Sequence, residues 1–237
     1  MMKKILIISI VTNFLFFLLG AYVIHKRGGV DYIRQKLNLI FNQTEESRGH
    51  YYNVKNTIFE VMPNNTNEII FLGDSITDYS EWHELFGNST IKNRGISGDT
   101  INGVINRLNE VTSSKPDKLF VMIGINDLGR GRSVNQILID YELLIKTIVD
   151  KIPDTELYIQ SILPTDDHQS RQNIDIIKIN SGLVEITEKY NLTYVNLFDL
   201  FITTENRLNP ELTLDGLHIN GRGYLVWKDA IIDYVNK

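Results

Sequence analysis

Residues 68–77 read EIIFLGDSIT, four consecutive apolar residues that break at once into glycine, acid and serine. An unbroken apolar run of this length, closed by turn formers, predicts a strand buried on both faces rather than one with a wet side. The pattern recurs at 119–123, 157–162 and 192–197, and helical-period segments at 102–111, 134–152, 174–190 and 224–235 fall between and after these runs. Buried strands alternating with helices predict an α/β fold, a three-layer, doubly wound parallel sheet of the flavodoxin-like kind.

Such sheets bind ligands beyond the carboxyl ends of their strands, so the residues that close each apolar run carry the most information. The first run ends in Gly73-Asp74-Ser75-Ile76-Thr77, a short second strand ends in Asn93-Arg94-Gly95, and the third ends in Gly124-Ile125-Asn126-Asp127. Asp215-Gly216-Leu217-His218 precedes the final helix. A serine is a weak nucleophile until a base takes its proton, and a histidine, whose ordinary pKa is about 6.5, can accept and return that proton near neutrality. Ser75 and His218 fit those roles, and Asp215, three residues earlier in one turn, can orient the ring and stabilise its imidazolium. A tetrahedral intermediate also needs fixed donors for its oxyanion, and the backbone N–H of Ser75, the backbone N–H of Gly95 and the side-chain amide of Asn126 are the candidates. Each block alone has an ordinary meaning as a turn, a cap or a loop; four in this order, three of them closing strands, point to a site. Ser97 has no base expected beside it, and Asp74, Asp99 and Asp127 read as loop holders or helix caps. Trp82-His83-Glu84 reads as a partly exposed helix surface, and Asp166-Asp167-His168 as a solvated loop. The G-x-S-x-G elbow of the α/β-hydrolase fold is absent.

Composition narrows the chemistry further. With 237 residues, 43% hydrophobic and 22% charged, the chain suits one globular domain plus an appendage. It has no cysteine, which removes thiolate catalysis, disulfides and cysteine-ligated metals. His25, His50, His83, His168 and His218 show no close metal-ligand spacing, so neither a metal nor another cofactor is expected. The net charge is −5, and Lys3, Lys4, Lys26 and Arg27 lie in a first segment free of acids. The remainder holds 20 basic and 29 acidic residues, a net −9 that disfavours nucleic acid as a partner.

Residues 5–24 read ILIISIVTNFLFFLLGAYVI, uncharged and about as long as a helix that crosses a bilayer. Leu19-Gly20-Ala21 is a poor cleavage site, so residues 1–27 are expected to be a membrane anchor or uncleaved signal rather than a removed leader. Lys26, Arg27, Arg34 and Lys36 after the span would by the positive-inside rule hold the body in the cytoplasm, whereas the order of a short basic start and an apolar run points to export; the extracytoplasmic face is the expectation taken. Residues 28–67 read as a helical stalk, with helices near 31–41 and 50–61 and Tyr51, Tyr52 and Phe59 packing the second onto the domain at 68–237.

The blocks resemble those of the SGNH, or GDSL, hydrolase superfamily, in particular the branch similar to platelet-activating-factor acetylhydrolases and carbohydrate acetylesterases. The resemblance covers residues 68–237, including Asn93-Arg94-Gly95-Ile96-Ser97-Gly98-Asp99-Thr100 and Asp215-Gly216-Leu217-His218-Ile219-Asn220, with the family's serine, glycine, asparagine and histidine matched to Ser75, Gly95, Asn126 and His218. It implies the SGNH hydrolase fold and a serine esterase that removes a short acyl group, acetyl by analogy, from a polar alcohol such as an O-acetylated sugar. A lysophospholipase or thioesterase, an acyl transferase to sugar, and a silent carbohydrate-binding module remain as alternatives.

Overall fold

The computed structural model describes residues 49–65 and 67–236, together with Asn13, Tyr22 and Lys26. The chain divides into two compact units, Met1–His50 and Tyr51–Lys237, and the second carries every feature below. The expected anchor at 5–24 and the first stalk helix lie outside the described residues, apart from Asn13 and Tyr22; among the described residues no helix is long and apolar enough to cross a membrane.

Five strands, β1 (Ile69–Gly73), β2 (Ile91–Gly95), β3 (Lys118–Met122), β4 (Glu156–Gln160) and β5 (Thr193–Val195), form one parallel sheet in the order β2-β1-β3-β4-β5. This is the doubly wound order whose winding reverses between β1 and β3, where a crevice opens beyond the strand ends. Every residue of β1 and β3 is buried, as two-sided cover requires. Among the described residues from 49 onward the α-helices are α1 (residues 49–61), α2 (Ser75–Asp78), α3 (Trp82–Phe86), α4 (Ile101–Ser114), α5 (Ile125–Gly129), α6 (Val134–Lys151), α7 (Asn173–Lys189), α8 (Phe198–Phe201) and α9 (Gly221–Asn236).

Phe71, Phe120 and Tyr158 are register neighbours on β1, β3 and β4 and therefore point to the same face. Their rings stack at 4.9 and 4.5 Å, forming an aromatic ladder across the sheet. Trp82 of α3 stacks on Phe71 at 4.2 Å, and α9 closes the layer with Trp227 edge-on to Trp82 at 4.8 Å and Tyr234 at 5.2 Å from Tyr158. The ladder corrects the expectation for Trp82-His83-Glu84: His83 and Glu84 are exposed, but Trp82 points inward and is fully buried. Elsewhere α6 packs against both α4 and α7. The Thr100 side chain caps α4 at Gly103 N–H, and Ser133 with Gln136 forms a capping box on α6.

The second compact unit begins at Tyr51 and takes in most of α1. Polar side chains of α1 bind the domain directly: Tyr52 donates to the Gly103 carbonyl at 2.8 Å, and Lys55 pairs with Asp78 at 2.8 Å. Phe59 is buried beneath the Arg94 guanidinium, 4.7 Å from its ring.

Candidate active site

Ser75 follows β1 directly as the first residue of α2 and is buried, with 7% of its surface exposed. Asp74 caps the helix by accepting from Ile76 N–H at 3.0 Å. The N–H of Ser75, at the first helical position, has no acceptor within the helix and is left for another partner. The Ser75 hydroxyl lies 2.9 Å from His218 Nε2, although 143 residues separate the two in sequence.

His218 is held by a short bridged loop in which Thr213 pairs with Ile219 and the Thr213 hydroxyl donates to the His218 carbonyl at 2.6 Å. Asp215 Oδ2 faces His218 Nδ1 at 2.6 Å, while Oδ1 accepts the backbone N–H groups of His218 and Leu217 at 2.7 and 3.0 Å. Partial burial alone would push this carboxyl up, but the hydrogen bonds from the His218 ring, the His218 N–H and the Leu217 N–H outweigh it and hold it down at about 2. An ionised Asp215 at Nδ1 selects the tautomer that keeps the proton there, leaving Nε2 as an acceptor for the serine hydroxyl.

Asn126 projects from the start of α5, beyond β3, and its Nδ2 donates to the Asp99 carbonyl at 3.0 Å. A primary amide has two N–H bonds, so one remains. The turn it grips, residues 96–99, is closed by Asp99 N–H to the Ile96 carbonyl at 3.0 Å, with Gly98 at φ +78°. Buried Arg107 anchors this turn to the sheet: Nε pairs with Asp99 at 2.8 Å while the same guanidinium donates to the carbonyls of Gly73 and Arg94 at 3.2 and 2.9 Å.

Gly95 does not offer the free donor expected of it. Its N–H is taken by the Asn93 side chain at 2.8 Å, and a Cβ there would stand 2.3 Å from Asp78 N, so this glycine serves close packing of β2 against α2. The sequence carried a signal for this, because asparagine commonly binds the backbone N–H two residues on. Gly98 lies half-buried in the turn that Asn126 grips.

Beneath the cleft Asp74, Asp99 and Asp127 are each 1–2% exposed. Burial, reinforced by the charges of Asp99 and Asp127, raises Asp74 to about 7 against the opposing Ile76 N–H bond and Arg171. Burial likewise raises Asp127 to about 6, although the Ile101 N–H, Arg130 and Arg132 favour its charge. These acids bind backbone: Asp127 Oδ2 accepts from Ile101 N–H, the first of α4, at 3.1 Å. Ser97 donates both its N–H and its hydroxyl to Asp78. Asp166, Asp167 and His168 lie on an exposed loop, with Asp166 paired to Arg207 at 2.9 Å. Asp166 and residues between 203 and 216 line a cleft of about 680 Å³ and mixed character, with Thr203, Arg207 and Thr213 beside Leu208 and Pro210; Asp215 forms one wall and Leu214, 91% exposed, stands at its edge. A second cavity, about 320 Å³ and lined by Ile152, Glu156 and Thr193, sits at the amino ends of β4 and β5, opposite the chemistry. Among the described residues no group of three His, Asp or Glu is arranged to hold a metal ion.

Residues 71–226 match the model of the GDSL-like Lipase/Acylhydrolase family. Over 164 residues the chain is 25% identical to platelet-activating factor acetylhydrolase IB subunit alpha2 of Rattus norvegicus, covering 66% of this chain and 71% of that protein. A solved structure described as a platelet activating factor from Streptococcus pneumonia is similar at a TM-score of 0.72 and 29% identity, over 85% of this chain and 99% of that one. An acetyl xylan esterase, AlAXEase, shares the fold at a TM-score of 0.60 and 22% identity, over 71% of this chain and 99% of the other.

Proposed function

Because the chain belongs to the GDSL-like Lipase/Acylhydrolase family and is thus a carboxylic ester hydrolase, we propose that Ser75, His218 and Asp215 are its catalytic triad. The observation that carries this reading is the unbroken chain of hydrogen bonds, 2.9 Å from Ser75 to His218 and 2.6 Å from His218 to Asp215. Ser75 Oγ attacks the ester carbonyl as His218 Nε2 takes its proton, and His218 returns that proton to the departing alcohol. Water then enters, gives a proton to His218 and attacks the acyl-serine; the Ser75 Oγ–acyl bond breaks as His218 passes that proton to Ser75 Oγ, releasing the acid and restoring the free enzyme. The oxyanion is met by the Ser75 N–H, the second N–H of Asn126 and the Gly98 N–H, which replaces Gly95 in this role. Two observations favour Gly98: it precedes the residue that Asn126 binds, and its positive φ is a conformation glycine adopts without strain.

The substrate is a short acyl ester, acetyl first, of a polar alcohol such as a sugar. The acetylhydrolase among the relatives supports this choice, as do Thr203, Arg207 and Thr213, which the mixed cleft along Asp215 offers to an alcohol's hydroxyl groups. Residues 5–24 anchor the enzyme in a membrane with its catalytic unit on the outer face; resistance to alkaline carbonate extraction, with protease access from outside intact cells, is the expected behaviour. A fluorophosphonate probe should label the wild type and fail on Ser75→Ala, and p-nitrophenyl acetate should be hydrolysed well ahead of the decanoate. Labelling that survives Ser75→Ala removes the nucleophile assignment, while a preference for decanoate points to a lysophospholipase instead.

A further inference from the structure

Asp78, the last residue of α2, is where three parts of the molecule meet. Its carboxylate accepts from Lys55 Nζ at 2.8 Å and the Tyr51 hydroxyl at 2.6 Å, both on α1. It also accepts from the backbone N–H and the hydroxyl of Ser97 at 3.1 and 2.8 Å. Only 3% of the Asp78 side chain is exposed, and 23% of that of Lys55. Burial pushes the Asp78 carboxyl up, but the bonds from Lys55, Tyr51 and Ser97 prevail and keep it below the ordinary carboxylate range.

Ser97 sits at one end of the peptide plane whose N–H belongs to Gly98. We infer that α1 positions the oxyanion turn: Lys55 and Tyr51 orient Asp78, and Asp78 pins Ser97 so that the Gly98 N–H meets the developing charge. The inference rests on the roles given above to Ser75 and Gly98. Without Lys55, Asp78 is a buried carboxylate short of its counter-ion, and such a group must turn toward water or take a proton. Either change loosens its hold on Ser97 while Ser75, on the same short helix, keeps its place through Asp74 and the strand. The docking of α1 does not depend on Asp78 alone, since the Tyr52 bond to Gly103 and the Phe59–Arg94 contact are independent of it. An effect on the turn is therefore separable from detachment of the helix.

The test uses the full chain, with Lys55→Met, Lys55→Arg, Tyr51→Phe and the control Tyr52→Phe assayed on p-nitrophenyl acetate. Lys55→Met is expected to lower kcat about tenfold or more with KM within about twofold, because a donor aimed at the transition state is displaced while ground-state binding is not. Lys55→Arg should recover most of the loss, Tyr51→Phe should show a smaller decrease of the same kind, and Tyr52→Phe should lower Tm with kcat unchanged. A folded Lys55→Met enzyme with wild-type kcat, or one altered only in KM, overturns the inference. If Lys55→Met does not fold, an unchanged kcat in Tyr51→Phe overturns it equally. Ser75→Ala in the same assay separates the two layers: activity retained there removes the triad reading and this inference with it. Activity lost there, alongside fully active Lys55 and Tyr51 variants, removes the inference alone.

Discussion

At two strand ends a polar residue of the candidate site adjoins a dry, buried acid: Ser75 follows Asp74, and Asn126 precedes Asp127. Ser75 meets His218, and His218 meets Asp215, whose carboxylate is half-exposed and held at about 2 by hydrogen bonds. The dry members lie 1–2% exposed, and burial lifts Asp74 to about 7 and Asp127 to about 6. One aspartate next to the nucleophile in sequence and another 140 residues away thus have opposite chemistry. Proximity along the chain does not decide which acid serves the reaction; the donors around each carboxylate do.

The largest effect should come from exchanging roles across that divide. Asp215→Asn keeps the shape of the loop but presents the wrong group to His218 Nδ1, so kcat should fall on the order of 10⁴-fold, as for the corresponding change in other serine triads. Asp74→Asn retains an oxygen for the Ile76 N–H and should stay within about tenfold of wild type. Steady-state kinetics on p-nitrophenyl acetate checks both, and equal losses would break the comparison.

The second pair sharpens it. Asn126→Ala removes a proposed oxyanion donor and should lower kcat about 10²–10³-fold with little change in Tm. Asp127→Asn should do the reverse, since the side chain it alters holds the first N–H of α4 rather than the substrate. Kinetics and melting curves on the two variants together decide whether adjacent residues divide the work in this way.

Much of this division was legible in the chain. The continuous apolar runs at 69–72 and 119–123 gave the central strands because two-sided burial leaves no polar alternation. Ser75, Asn126, Asp215 and His218 stood out as candidates because a strand end, a helix start and a one-turn spacing each restrict where a side chain can point, and the structure brings Ser75, His218 and Asp215 within hydrogen-bond distance of one another. Gly95 failed for a different reason: whether a backbone N–H is free depends on the rotamer of Asn93, which no pattern of residue types displays. Trp82 failed because a five-residue helix is too short to show a period, so its inward side was invisible until the Phe71 ring fixed it. How α1 is held was displayed by no motif, because Asp78, Gly103 and Arg94 meet partners that come from a separate segment.

The dry layer should also shape stability across pH. Asp74 and Asp127 bind protons more tightly folded than unfolded, so their contribution is fully present below about pH 4 and is lost as pH rises through about 6 to 7. Urea unfolding at pH 5 and pH 8 should show it, and Asp74→Asn should flatten it and raise stability at pH 8. A stability curve that rises across this interval would place the charges elsewhere.

Asp215 works in the opposite direction and more weakly. Its pKa is depressed from the usual 3.8 to about 2, so its contribution is present above about pH 4 and is lost as pH falls through 2. Half of the side chain faces solvent, and screening there limits the effect to about 1 kcal/mol or less. Asp215→Asn should therefore barely move the urea midpoint at pH 7 while nearly abolishing turnover. If its stability loss instead matched a buried acid's, the loop from Thr213 to Ile219 would owe its fold to the carboxylate, and the kinetic defect would reflect displacement of His218 rather than its tautomer. Restoring the loop with Asp215→Glu would separate the two, because a carboxylate one methylene longer can keep the charge at Nδ1 without reproducing the pair of bonds to the Leu217 and His218 N–H groups.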